Sequence, residues 1–302
     1  MAALLSVIGL TPFLTHMQLL KRIWKVTWRI LLFLGIWALL LAPLTIPVME
    51  KFAPPPGGAI PLWLQPYIEI VSVTSVLLAA WGMLRFIDRR PFLSLGFAPR
   101  HALRDNAIGI LIGLGMMTAC IAILYFCGWA IPEAAAGFLG SVLAVAALGT
   151  IANTVMQEVV VRGYVQQTIQ KQFGVVNGVI FSALFFLVLH LGAIQGAILP
   201  MISIFAAGIL LGTAYAVTGN LWLPIALHFG WNFLQGPVLG ETVSGRAGGA
   251  GWRLFHLAGP AFMTGGKFGI EGGLIAIIVT ILGTPIVLMV YRNRRDTMRV
   301  SS

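Results

Sequence analysis

The feature that most constrains this chain is a series of apolar runs of about twenty residues, each long enough to cross a ~30 Å hydrocarbon core as a helix. They fall at residues 30–48, 64–86, 107–131, 138–156 with a helical extension beyond, 175–193, 197–217, 221–239 and 272–291. Backbone polar groups in lipid must be satisfied within the segment itself, so runs of this length commit to helices. The pattern predicts an all-α polytopic transmembrane helix bundle of about eight spans. Composition agrees, because only 9% of residues are charged and 59% are hydrophobic, whereas a soluble domain carries roughly a quarter charged. Too little charge remains to coat a water-facing surface.

A formal charge of +10 raises nucleic acid as a partner, but the cations sit in short clusters between apolar runs, so no nucleic acid is expected. Lys21, Arg22, Lys25 and Arg29 precede the first span, and Arg85, Arg89, Arg90, Arg100 and Arg104 lie at or after the end of the second. Arg162 and Lys171 follow the fourth, and Arg292, Arg294, Arg295 and Arg299 follow the last, so 15 of the 19 Lys and Arg residues share one side of an eight-span arrangement. Lys51, Arg246, Arg253 and Lys267 fall on the other. The positive-inside rule places the crowded side, with both termini, in the cytoplasm.

Around these spans the chain divides into an apolar N-terminal segment, 1–20, the first helices, 21–147, a central block, 148–239, a glycine-rich external loop, 240–271, and the last helix with a basic tail, 272–302. The first segment lacks the basic start and cleavage site of a signal peptide and reads as a retained interfacial or partly inserted helix. The loop, with Gly248-Gly249-Ala250-Gly251 and Gly265-Gly266, reads as mobile and able to gate access. Cys120 and Cys127 lie in one apolar run without metal-type spacing and read as buried thiols. No lipidation signal is present, so anchoring to the bilayer falls to the spans.

An ionisable group at mid-helix costs about 2.5 to 3.5 kcal/mol on insertion scales, which makes each one a functional candidate. The spans hold Glu69, Glu158, Arg162, His190 and His228. Residues four apart share a helical face, and Glu158 with Arg162, Phe186 with His190, and His228 with Asn232 repeat that interval on three helices. A carboxylate, two imidazoles and an amide are parts of a hydrolytic centre: a base for water, donors for an oxyanion, and ligands for a metal. Glu158, His190 and His228 suit a divalent metal such as zinc with one position left open. Metal-free water is equally compatible with the same residues.

The stretches Gln157-Glu158-Val159-Val160-Val161-Arg162-Gly163, Phe186-Leu187-Val188-Leu189-His190 and His228-Phe229-Gly230-Trp231-Asn232 resemble the CPBP intramembrane proteases. This group includes the type II CAAX prenyl endopeptidases, the bacteriocin-processing (Abi) proteins and the lysostaphin-resistance-protein-like family. The family pattern is Glu-Glu-x-x-x-Arg, then Phe-x-x-x-His, then His-x-x-x-Asn or Asp. The resemblance covers roughly residues 148–239 and implies hydrolysis of a peptide bond in or near the membrane, on a membrane-associated peptide or protein, in a bacterial inner membrane. It further implies that His190 helps activate water, that His228 and Asn232 stabilise the oxyanion, and that Glu158 with Arg162 organises or replaces the base. The departure is Gln157, where the family has the glutamate that activates water; an amide is no general base.

Other readings stand beside these. The histidines can be interhelical hydrogen-bond glue, Glu158–Arg162 an ion pair alone, Phe186 packing, and Glu69 a polar contact. Gly208 and Gly212 fit close helix packing, and Trp222, Trp231 and Pro224 fit interfacial anchoring and helix shape. At the level of function the alternatives are a catalytically impaired relative serving as a membrane scaffold or immunity factor, and a proton- or ion-coupled transporter.

Overall fold

The computed structural model describes residues 11–53, 61, 63–133, 140–246 and 254–292. From Thr11 the chain is already in α1 (Thr11–Phe52), a single 42-residue helix containing Pro43 and Pro47. Residues 11–20 therefore continue into the first span instead of forming a separate interfacial helix, and residues 1–10 lie outside the described residues. α1 is peripheral: Leu31, Leu39 and Ile46 are exposed, while Phe33 is fully buried and stacks on Tyr164 at 4.3 Å.

α2 (Leu64–Gly82) runs on into a π-helical turn, Met83–Asp88. There Asp88 accepts from Arg29 at 3.2 Å and lies 3.9 Å from Arg90, tying the basic ends of the first two spans together. α3 (Ala102–Phe126) is followed by a short strand, β1 (Ala130–Pro132). α4 (Gly140–Glu158) passes into a π-helical stretch, Val159–Gln166, and then α5 (Gln167–Phe173), giving one continuous 34-residue candidate span.

α6 (Val175–Ile194) and α7 (Ile198–Thr218) form an antiparallel pair. Gly208 lets them meet, since a Cβ there would sit 2.8 Å from that of Ala183. α8 (Trp222–Phe233) is the central pillar, with eight of its 12 residues buried, and ends in a π turn, Leu234–Val238. Its tightest partner is α3, where a Cβ on Gly113 would come within 2.2 Å of the Leu227 carbonyl oxygen. The Trp222 indole donates to the Ala98 carbonyl at 2.8 Å and pins the start of α8 to the loop before α3. After it come β2 (Phe255–Leu257), antiparallel to β1, then α9 (Ala261–Thr264) and α10 (Leu274–Val290), which packs on α7.

The chain is thus an all-α membrane bundle. Among the described residues six helices are long and apolar enough to cross a bilayer, and α10 is a shorter apolar helix of 17 residues. The remaining run, 221–239, is the wrapped α8, whose apolar residues face neighbouring helices more than lipid. Cys120 is buried as expected, but Cys127 is exposed at the end of α3. Residues 240–271 are more structured than a glycine count suggests: Phe268, Ile270 and Glu271 are buried, and β2 pairs with β1. The run Gly248-Gly249-Ala250-Gly251, Arg253 and the tail arginines 294, 295 and 299 lie outside the described residues.

Candidate active site

The three four-residue steps on α4, α6 and α8 converge. Glu158, the last residue of α4, and Arg162, inside the π stretch, are both fully buried and paired at 2.9 Å. Arg162 also donates to the Gly208 carbonyl at 3.2 Å, and its guanidinium lies 4.5 Å over the Phe186 ring. π turns inside α-helices recur at functional sites, and this one carries the arginine that neutralises the buried carboxylate.

Glu158 Oε1 serves a second partner, His228 Nδ1, at 2.9 Å. A carboxylate oxygen only accepts, so Nδ1 carries the proton and Nε2 remains for the cavity. His190 Nδ1 is 2.8 Å from the Phe186 carbonyl one turn back, and by the same argument its Nε2 presents a lone pair. Phe186 organises both imidazoles, 4.5 Å from His190 and 6.0 Å, edge to face, from His228. Its packing role is thus a positioning role.

His190, His228, Asn232, Phe186, Ser244 and Glu271 line one cavity of about 50 Å³, room for a few water molecules. Glu271 is the residue sequence reasoning missed. It lies between Gly269-Ile270 and Gly272-Gly273, just before the last span and without a periodic partner; the only signal was a lone acidic residue inside an otherwise apolar, glycine-flanked stretch. It is buried, and its Oε1 accepts from both the backbone N–H of Ser244 and the Ser244 hydroxyl, the latter at 2.8 Å. Burial pushes the Glu271 carboxyl up, opposed by the Ser244 hydrogen bonds and by the nearby His228.

Gln157 is absent from the cavity wall. Its amide donates to Asn153 Oδ1 at 2.6 Å, Asn153 donates to Glu69 Oε2 at 2.8 Å, and Arg246 lies 3.4 Å from Glu69 Oε1. Glu69 is therefore a polar contact between α2 and α4, and its hydrogen bonds lead to Asn153 and Arg246 instead of to the histidines. Glu158 is hydrogen-bonded to His228, but among the described residues no hydrogen bond joins Glu69 to Glu158 or to either histidine, so Glu69 stands apart from any relay through them.

A metal held by Glu158, His190 and His228 does not fit this arrangement. Oε1 of Glu158 is committed to Arg162 and His228, and Glu158 is absent from the cavity wall that the two imidazoles share. Among the described residues no three His, Cys, Asp or Glu side chains are grouped to hold a metal ion.

Comparison with protein families gives a match over residues 138–234 to the family described as type II CAAX prenyl endopeptidase Rce1-like, in agreement with the resemblance drawn from the three motifs. The matched stretch takes in Glu158, Arg162, His190, His228 and Asn232, and ends well before Glu271. Comparison with curated proteins and with solved structures gave no match.

Proposed function

We propose that this integral membrane protein is an intramembrane peptidase of the CAAX-protease-like type, hydrolysing a peptide bond of a membrane-associated peptide or protein. The observation that supports it is the convergence of His190, His228 and Asn232 on one small cavity, with His228 held from behind by Glu158 and Glu158 by Arg162. A scissile carbonyl in that cavity meets an imidazole and an amide, the two donors a tetrahedral oxyanion requires. With a second proton on Nε2, His228 donates to the oxyanion, and the Asn232 amide, one turn along α8, donates beside it. His190, with its proton committed to the Phe186 carbonyl, accepts a hydrogen bond from water and orients it for attack. Both termini are assigned to the cytoplasm from the cation asymmetry, and a bacterial inner membrane is the proposed setting.

The test is cleavage of a farnesylated CAAX peptide and of quenched membrane peptides by the purified chain in proteoliposomes, beside His228→Ala and Glu158→Gln. Loss of cleavage by His228→Ala at unchanged thermal stability is the expected result, with Glu158→Gln, which leaves Arg162 buried without its anion, losing both cleavage and stability; equal cleavage by His228→Ala would sink the reading.

A second reading, a catalytically impaired relative acting as a membrane scaffold or immunity factor, draws on Gln157, whose amide is engaged with Asn153 and supplies no base. It predicts a parent chain that binds peptide without turnover and a Gln157→Glu variant that cleaves.

A further inference from the structure

Three glutamates are buried within the bundle, and their surroundings sort them. Glu158 is paired with Arg162 and with His228; Glu69 is paired with Asn153 and faces Arg246. Each is held against a guanidinium and is absent from the cavity wall. Glu271 is the reverse: it is held by the N–H and hydroxyl of Ser244 and by the side chain of Trp231, neutral donors in place of a guanidinium, and it lines the cavity that His190, His228 and Asn232 share. An ion-paired carboxylate is a poor proton acceptor because its charge is already satisfied. One held by neutral donors on the cavity wall keeps its charge available to a water there.

The frame that presents Glu271 is constructed with some strain. Val243 and Arg246 exchange two 2.9 Å backbone hydrogen bonds across Ser244-Gly245, and both central residues have positive φ, +48° and +75°. That is the geometry of a tight two-residue hairpin turn, and serine adopts it at a cost of about 1 kcal/mol or more. The turn is anchored on both sides: Gly245 N–H donates to the Phe268 carbonyl at 3.0 Å, and Gln235, which accepts from Trp231 at 3.0 Å, donates to the Thr242 carbonyl at 2.5 Å. The positive-φ serine thus turns both its N–H and its hydroxyl onto one carboxylate oxygen. Backbone strain that is over-determined by its surroundings and sits beside a cavity is a sign of function.

Resting on the peptidase reading, we infer that Glu271 is the carboxylate that activates the attacking water, taking over from α10's threshold the task that Gln157 on α4 cannot perform. In the reaction Glu271 takes one proton from water while the water oxygen bonds to the scissile carbonyl carbon. The carbonyl electron pair moves onto oxygen and is met by His228 and Asn232. When the tetrahedral adduct collapses, the C–N bond breaks and the protonated Glu271 gives its proton to the leaving amine. One water is consumed, and the carboxylate is regenerated.

The experiment compares the full chain in proteoliposomes with Glu271→Gln, Glu271→Asp and Gln157→Glu, using a farnesylated CAAX peptide and quenched membrane peptides as probes, with thermal melting of each variant. Glu271→Gln, near-isosteric and still able to accept from Ser244, is expected to lower kcat about 100-fold or more with KM little changed. Glu271→Asp, which keeps the charge but retracts it by one carbon, falls between, and this variant decides the matter if the glutamine form is unstable. Gln157→Glu is expected to change kcat less than about threefold, because a base is already present. Full activity in Glu271→Gln or in Glu271→Asp overturns the inference, and so does a parent chain that is inert until Gln157→Glu is introduced; in either case the peptidase reading survives. If the parent and Gln157→Glu are both inert on every probe, the peptidase reading falls and the inference falls with it.

Discussion

One wall of the cavity is carried by α6 and α8, whose polar residues recur at four-residue steps and are held from behind by the Glu158–Arg162 ion pair of α4 and by the Phe186 ring. The opposite wall is carried by Ser244 and Glu271, a polar pair set in turns, 27 residues apart and obeying no period. The first wall positions donors through rigid helices, and the carboxylate behind it is ion-paired with Arg162. The second positions a single acceptor through a strained turn. Fixed geometry for the oxyanion and a less encumbered carboxylate for the water can thus coexist in about 50 Å³.

The comparison can be broken most violently on the helical wall. Arg162→Ala leaves Glu158 buried without its cation and is expected to destabilise the fold by about 3–5 kcal/mol, read as a large fall in Tm. Glu158→Leu combined with Arg162→Met should recover most of it. Asn232→Ala is expected to lower kcat about 100- to 1,000-fold, about 2.7–4 kcal/mol of transition-state stabilisation, with Tm unchanged. A kcat within threefold of the parent would remove the amide from the oxyanion site.

Intermediate effects test the scaffold that brings the walls together. Gly113→Ala drives a methyl toward the Leu227 carbonyl and should cost about 1–3 kcal/mol in unfolding titrations. On the irregular wall, Ser244→Ala removes the hydroxyl donor to Glu271 and should cost about 1 kcal/mol, with a clear fall in kcat beside it. A pure stability loss would mean that the serine merely closes the turn. Smallest of all, Arg246→Ala removes a contact whose arginine side chain is 73% exposed, and should change stability by at most about 1 kcal/mol.

How much of this was legible in the sequence follows the same division. Every apolar run corresponds to a helix, and the three polar pairs meet because 3.6 residues per turn makes the interval visible before folding. Glu271 was invisible for the converse reason: its partner Ser244 is placed by glycine-dependent turns at 245, 265 and 269, which composition registers only as a flexible loop. The close approach of α3 and α8 through Gly109, Gly113 and Gly230 escaped notice too, since a small residue declares its purpose only when the opposing backbone is known. Gln157 reads plainly as a lost base, but its hydrogen bond to Asn153, and so to Glu69, depends on the rotation of α4 against α2.

The enclosure of α8 has a consequence for biogenesis. A segment whose apolar residues contact protein on most sides, and which carries no Lys or Arg between Trp222 and Val238, has neither a broad greasy flank nor flanking cations to dictate its own entry into lipid. Its transmembrane placement must be stabilised by docking beside α3, which emerged from the ribosome about a hundred residues earlier. Chains truncated after α7 and chains with a bulky residue at Gly113 should then share one defect: late helices that are synthesised normally but fail to settle across the bilayer and are cleared by quality-control proteolysis.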